Sequence, residues 1–200
     1  MTDAGPSTRT LYAIIGVLLA VLLVISGGYW FMSGGQPGAL AVGGPFSLID
    51  GDGKPVSDQT WRGKYMLVYF GYTFCPDVCP TTLSTVGDAL DRLGTKADRV
   101  QTIFITVDPK RDRPAVVKDY AAAFGPRVAG LTGSAEQIAA VAKAYRVYYA
   151  EHRNGPGPDD YTMDHSSILY LMGPDGRFVA PIRADQSGPD MAAALAKLIS

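Results

Sequence analysis

Six consecutive apolar or aromatic residues, Tyr65-Met66-Leu67-Val68-Tyr69-Phe70, constrain the fold more than any other feature of the chain. A strand with one face in water alternates apolar and polar side chains, whereas a run with no polar face belongs to a strand buried on both sides. Such a strand needs a layer of structure above and below it. Val100 to Val107, with Ile103, Phe104 and Ile105 at its centre, reads as a second strand of this kind. Between the two, from Pro80, the spacing of Leu83, Val86, Leu90 and Leu93 predicts a helix that stops at Gly94.

The remaining punctuation extends this pattern. Phe46 to Ile49, the turn residues Asp50-Gly51-Asp52-Gly53, and Val56 predict a hairpin. Pro114 opens a helix through Val117 and Phe124, and Ser134 with Gln137 has capping-box spacing ahead of Ile138, Val141 and Tyr145. Ser167 to Met172 predicts a third strand, turned by Gly173-Pro174-Asp175-Gly176 into Arg177 to Ile182, with a last helix from Pro189 to Ile199. Strands alternating with helices predict an α/β domain with a mostly parallel sheet covered on both faces. Its closing hairpin and helix read as thioredoxin-like. No internal repeat is apparent.

This domain occupies residues 45–200. Ahead of it, Leu11 to Met32 is 22 residues without a charge. As a helix it would run ~33 Å, enough to cross a ~30 Å hydrocarbon core, with Tyr29 and Trp30 at its far end, where interfacial aromatics belong. The expected organisation is a short cytoplasmic N-terminus (1–10), a transmembrane anchor (11–32) and a linker (33–44) containing Gly34, Gly35, Gln36, Pro37 and Gly38. The competing reading is a cleaved signal peptide with Ala39-Leu40-Ala41 as its site, but the apolar region is longer than the ~7–15 residues of such peptides. Arg9 and the α-amino group precede the span and no Lys or Arg follows until Lys54, so the domain is expected outside the cytoplasm. In a bacterium that is a single-pass inner-membrane protein facing the periplasm; the mitochondrial inner membrane offers the equivalent topology.

Charge excludes one class of partner. With 18 basic and 19 acidic residues, only Lys110, Arg111 and Arg113 cluster, and a solvated loop accounts for them. Nucleic acid is not an expected partner, because phosphate binding needs a concentrated positive surface.

The chain has two cysteines, both within Cys75-Pro76-Asp77-Val78-Cys79. A disulfide across three residues constrains the unfolded chain very little, so the pair is read as redox-active or metal-binding rather than structural. It falls where a central strand meets a helix N-terminus, whose unpaired N–H groups and partial positive charge favour a thiolate. With both cysteines on the first turn, a separation of four places them on one face, Cα atoms ~6 Å apart, able to form a disulfide or to share one ion. Asp77 sits between them, where a carboxylate would oppose thiolate formation by repulsion; the alternative is a helix-start residue pointing to solvent. Two sulfurs make an incomplete metal site. His165, in Met163-Asp164-His165-Ser166 just before the third strand, is the natural third ligand, because in a thioredoxin-like sheet that loop approaches the cysteine-bearing helix. His152, beside the Gly- and Pro-rich stretch Arg153 to Pro158, reads as a solvated loop residue. Two thiolates and an imidazole suit Cu(I) and can hold Cu(II) or Zn(II). A hydrolytic zinc site also wants a general base, for which only Asp164 or Asp77 is available.

The segment Phe70-Gly71-Tyr72-Thr73-Phe74-Cys75-Pro76-Asp77-Val78-Cys79-Pro80 closely resembles the core motif of the SCO/SenC family of copper chaperones. Val107-Asp108-Pro109-Lys110-Arg111-Asp112-Arg113-Pro114 resembles a second family segment, and Asp164-His165-Ser166 with Tyr170 to Gly176 a third. Gly173 stands where the family often has an acidic residue, away from the site. The resemblance, over roughly Pro45 to Ile199, implies a thioredoxin-like domain on a single membrane anchor, and copper (Cu(I) or Cu(II)) held by Cys75, Cys79 and His165. It implies a role in maturing the CuA centre of cytochrome c oxidase subunit II. An upstream copper donor and a thiol reductant are then further partners.

The main rival is a thiol–disulfide oxidoreductase that reduces cysteines of the same subunit, with Cys75 attacking and Cys79 resolving. Such enzymes usually space their cysteines by two residues and carry a proline before the third strand. This chain has three intervening residues and Asp164-His165-Ser166 there. A peroxiredoxin-like site wants Thr or Ser three residues before a peroxidatic cysteine, and Tyr72 stands there. The expectation is a metallochaperone rather than an enzyme.

Overall fold

A computed structural model describes residues 8–33 and 42–199. Chain contacts divide into two compact units, residues 1–40 and 41–200.

In the first unit, α1 (Thr8–Ser33) is a 26-residue helix. Its described apolar side chains from Ile14 to Ile25 are exposed. Among the described residues, no helix is long and apolar enough to cross a membrane. The predicted span 11–32 includes positions whose side chains lie outside the described set (11, 13, 27 and 29–32), as do residues 1–7, most of the linker, and Ala39-Leu40-Ala41.

The second unit is built on β1 (Ser47–Asp50), β2 (Pro55–Ser57), β3 (Tyr65–Gly71), α2 (Val78–Leu93), β4 (Val100–Thr106), α3 (Pro114–Ala122), β5 (Val128–Thr132), α4 (Ala135–Tyr145), β6 (Tyr149–Arg153), β7 (Tyr161–His165), β8 (Ile168–Met172), β9 (Phe178–Arg183) and α5 (Gly188–Leu198). Seven strands form one sheet in the order β2-β1-β5-β4-β3-β8-β9. The uninterrupted apolar run is the buried centre, since all seven residues of β3 are buried. β3 pairs in parallel with β4, and β4 with β5, while β8, β9, β1 and β2 join antiparallel. The sheet is therefore mixed rather than mostly parallel. The two hairpins add antiparallel strands at both edges, outside a three-stranded parallel centre.

Several local signals act as the sequence predicts. Ser134 and Gln137 form a reciprocal capping box at the start of α4, and Pro114 occupies the first turn of α3. α2 ends at Gly94, whose φ of 58° lies in the left-handed region that favours glycine. α2 and α5 pack together, and Leu83, Val86, Leu90, Met191 and Leu195 are buried in the core.

Two features depart from expectation. β5 lies between the two helices predicted to be consecutive. β6 and β7 form a separate antiparallel ribbon, pairing with each other and not with the main sheet. The Gly- and Pro-rich stretch read as a loop is the connection at the tip of this ribbon.

Candidate metal centre

The cysteine segment leaves β3 at Gly71, whose carbonyl accepts from Val107 N–H at 2.7 Å. α2 begins at Val78 with Asp77 as N-cap, and the Asp77 side chain makes no capping hydrogen bond. Asp77 is exposed, as the helix-start reading has it, and accepts from Thr81 Oγ1 at 3.2 Å. Cys79 is thus the second residue of the helix and Cys75 lies in the preceding loop, not on the first turn. The two sulfurs still face one site, because the Cys79 N–H, one of the helix's unpaired donors, points at Cys75 Sγ at 3.4 Å. Cys75 Sγ takes the place of the missing side-chain cap. Both cysteines are free, Cys75 half-buried and Cys79 buried.

This arrangement splits the pair electrically. The Cys79 thiol donates to Cys75, and the Cys79 and Asp77 N–H groups and the nearby His165 add to it. Together they outweigh burial and bring Cys75 down to about 5. Cys79 is pushed up, because it supplies that hydrogen bond and is itself buried beside the Cys75 charge. Near neutral pH the pair therefore carries one thiolate, at Cys75, and one proton, at Cys79. Tyr69 adds a weak contact from its hydroxyl to Cys79 Sγ at 3.9 Å, and burial keeps that phenol protonated.

His165 closes the site from the other sheet. It ends β7, on a strand rather than in the predicted loop. Its Nε2 lies 3.4 Å from Cys79 Sγ, and the donor atoms of Cys75, Cys79 and His165 all fall within 4.8 Å of one another. Its Nδ1 is 3.2 Å from the Ser166 carbonyl. A proton on Nδ1 donated to that carbonyl leaves the Nε2 lone pair free for a metal. The rings of Tyr69 and Tyr72 meet the imidazole edge-on, each at 6.1 Å between centroids. An open cleft of about 320 Å³ gives access, lined by Tyr72, Cys75, Pro76, Val78, Met163 and His165 among others. His152 sits exposed on β6, away from the cluster. Two sulfurs and one nitrogen on converging elements make a soft-to-borderline donor set, suited to Cu(I) and able to hold Cu(II).

The segment behind the site was underread in the sequence. Lys110 and Arg113 are exposed, but the Arg111 side chain is only 9% exposed and pairs with Asp108 through Nε at 2.5 Å. A buried ion pair, not a solvated loop, therefore accounts for Arg111. Asp112 is fully buried, and its carboxylate accepts from Thr73 N–H (2.9 Å), Thr73 Oγ1 (2.6 Å) and Thr106 Oγ1 (2.6 Å). Burial raises its pKa while these hydrogen bonds pull it back. The available signal was the pair of acids, Asp108 and Asp112, flanking Lys110 and Arg111 directly after a buried strand.

Fold and site together define a thioredoxin-like protein with a convergent Cys–Cys–His donor set for a soft metal. The sequence profile of the SCO1/SenC family matches residues 34–200, and the chain belongs to that family. It is 43% identical over 156 residues to Protein sco1 of Schizosaccharomyces pombe, covering 77% of this chain and 59% of that protein. The chain spans about half to three-fifths of the length of the curated relatives it matches first. Among solved structures, Bradyrhizobium japonicum ScoI with copper bound is 47% identical, with a TM-score of 0.72 over 79% of this chain and 99% of that one. BsSco, described as a member of the Sco family of cytochrome c oxidase assembly proteins and as having a disulfide switch, is 27% identical. Its TM-score is 0.60, over 78% of this chain and 92% of that one.

Proposed function

We propose that this protein is a copper chaperone supporting cytochrome c oxidase assembly, with Cys75, Cys79 and His165 as the ligands of its cargo. The observation that carries the reading is the convergence of those three donor atoms within 4.8 Å, in a chain 47% identical to a copper-bound ScoI. Copper is cargo here. The Cys75 thiolate captures it at the cleft, Cys79 gives up its proton to become the second thiolate, and the Nε2 lone pair of His165 completes the set. Release needs only a competing soft donor entering the same cleft. The recipient is the CuA site of oxidase subunit II, supplied through this protein by an upstream copper donor, with a thiol reductant keeping Cys75 and Cys79 apart.

The uncharged segment 11–32 serves as a single membrane anchor with residues 1–10 on the cytoplasmic side and residues 33–44 as linker. It holds the domain at the periplasmic face of the inner membrane, where its acceptor would lie.

Titration of the reduced protein with Cu(I) and Cu(II), followed by X-ray absorption at the copper edge, tests the assignment. Two sulfur scatterers and one histidine nitrogen per copper are expected. A copper signal lacking sulfur would remove the cysteines from the site.

A second reading, thiol–disulfide exchange on the same subunit, is favoured by the low Cys75 pKa, which supplies an attacking thiolate beside a protonated partner. Fast insulin disulfide reduction combined with unchanged copper affinity in His165→Ala would favour it over metal delivery.

A further inference from the structure

His165 and Cys75 belong to elements with no shared backbone pairing. Cys75 follows β3 of the main sheet, whereas His165 ends a ribbon that pairs only with itself. The backbone ties the ribbon to the sheet only at one end, where Ser166 and Ser167 lead from His165 into β8, which pairs with β3. Side chains must hold the rest of the ribbon against the cysteine loop, and one short segment touches both carriers. Asp112 binds Thr73, two residues before Cys75, through backbone and hydroxyl. Its neighbour Arg111 binds the ribbon: Nη1 donates to the carbonyls of Asp159 (3.2 Å) and Tyr161 (3.1 Å), and the guanidinium carbon lies 3.6 Å from the Tyr161 ring centroid. The Tyr161 hydroxyl donates to Asp108 at 2.9 Å, and Asp108 also holds Arg111. On its way the guanidinium passes 4.7 Å from the ring of Phe74, the residue next to Cys75. Among the described residues, Nη2 of Arg111 is buried without a hydrogen-bond partner, so the aromatic faces supply the rest of its surroundings.

We propose that Arg111 is a positioning residue that pins the β6–β7 ribbon against the cysteine loop and so sets the reach of His165 toward the two sulfurs. The proposal rests on the reading of those three residues as copper ligands. It assigns Arg111 no contact with the metal. The ribbon is rooted near the His165 end, where Ser166 N–H donates to the Tyr148 carbonyl at 3.0 Å, and Arg111 holds the other end of β7. Without the pin the ribbon tilts about its root, and the imidazole, which lies at that root, changes its angle toward the sulfurs rather than leaving the site. The planar fork and the stacking faces are what a lysine cannot copy.

Arg111→Lys and Arg111→Ala in the full-length chain test this. In the reduced, metal-free protein, amide hydrogen exchange at Tyr161–His165 should quicken by at least about tenfold in both variants, while β3 and β4 stay as in the wild type. After loading with Cu(II), the histidine-nitrogen coupling in pulsed electron paramagnetic resonance should weaken or split into two populations, with both sulfur ligands retained. Unchanged exchange and unchanged nitrogen coupling would overturn the proposal. Exchange quickened across the whole domain would also overturn it, by reducing Arg111 to a general stabiliser. If the wild type itself showed no histidine coupling, the ligand assignment would fail instead. The exchange pattern would still decide whether Arg111 pins the ribbon.

Discussion

Cys79 Sγ lies 3.4 Å from Nε2 of His165, although 86 residues and a change of sheet separate them. The sulfur is fixed by a helix docked on the central sheet and the nitrogen by a ribbon outside it. A cysteine pair at a strand–helix junction becomes a three-donor site only where these two parts meet.

His165→Ala should leave the dithiol intact and remove the only imidazole at the site. Cu(II) affinity should fall by more than about a hundredfold, exceeding the usual 10–100-fold cost of losing a group that merely supports a ligand. Cu(I), content with two thiolates, should lose less. Competition titration against chelators of each oxidation state measures both, and equal small losses would remove His165 from the ligand set.

The two thiols should differ sharply toward alkylation. With Cys75 at about 5, its iodoacetamide rate should be flat around neutrality and fall only as the pH drops through that value, while Cys79 stays slow. Peptide mapping after timed labelling checks this. The linkage sign follows, because a folded pKa below the unfolded thiol value gives a contribution to stability that is full above the unfolded pKa. That contribution is lost as pH falls toward about 5. For the same reason Cu(I) binding near pH 7 should release about one proton per ion, taken from Cys79, which calorimetry in buffers of different ionisation enthalpy would count.

Gly71→Ala tests how closely the site is packed on the sheet. A Cβ there would lie 2.8 Å from Cys79 Sγ and 2.9 Å from a Phe104 ring carbon, both buried. Overpacking of this kind costs about 1–3 kcal/mol and should displace the sulfur. Denaturant melts and copper titration should shift together, and a stable variant with normal affinity would show that the sulfur has room.

Asp112→Ala removes one carboxylate and strands three donors, Thr73 N–H and Oγ1 and Thr106 Oγ1. At about 1–3 kcal/mol for each buried donor left unpaired, a loss of about 3 kcal/mol or more is expected. Asp112→Asn should recover part of it, since an amide oxygen still accepts while its NH₂ faces other donors. Thermal unfolding of the two variants gives the comparison.

The buried centre was readable because its chemistry is local. β3 is a continuous apolar run and β4 carries Ile103-Phe104-Ile105 at its centre, α2 and α4 carry helical spacing, and the cysteines sit at the junction the pattern marks. β5 was not, because Val128-Ala129-Gly130-Leu131-Thr132 is short and has the small residues Ala129 and Gly130 at its centre. A Cβ at Gly130 would meet the Val117 backbone, so α3 packs there by close approach rather than by apolar bulk. The ribbon was hidden for another reason: Glu151, His152 and Arg153 are exposed and polar, so β6 offers the core only Tyr149 at its start. Cys75, Cys79 and His165, whose donor atoms the fold brings together, were legible as scarce residue types. The Arg111 and Asp112 contacts were not, since they depend on which loop folds back onto Thr73 and Tyr161.

The ribbon enters the chain between α4 and β8 and leaves every pairing of the seven-stranded sheet undisturbed. It is therefore a module. A redesigned scaffold without it would keep the pairings of the sheet and the paired thiols and would lose the imidazole. Two short strands on that frame bring an imidazole to the paired thiols while burying Tyr161 and packing Tyr149 and Met163 against the core.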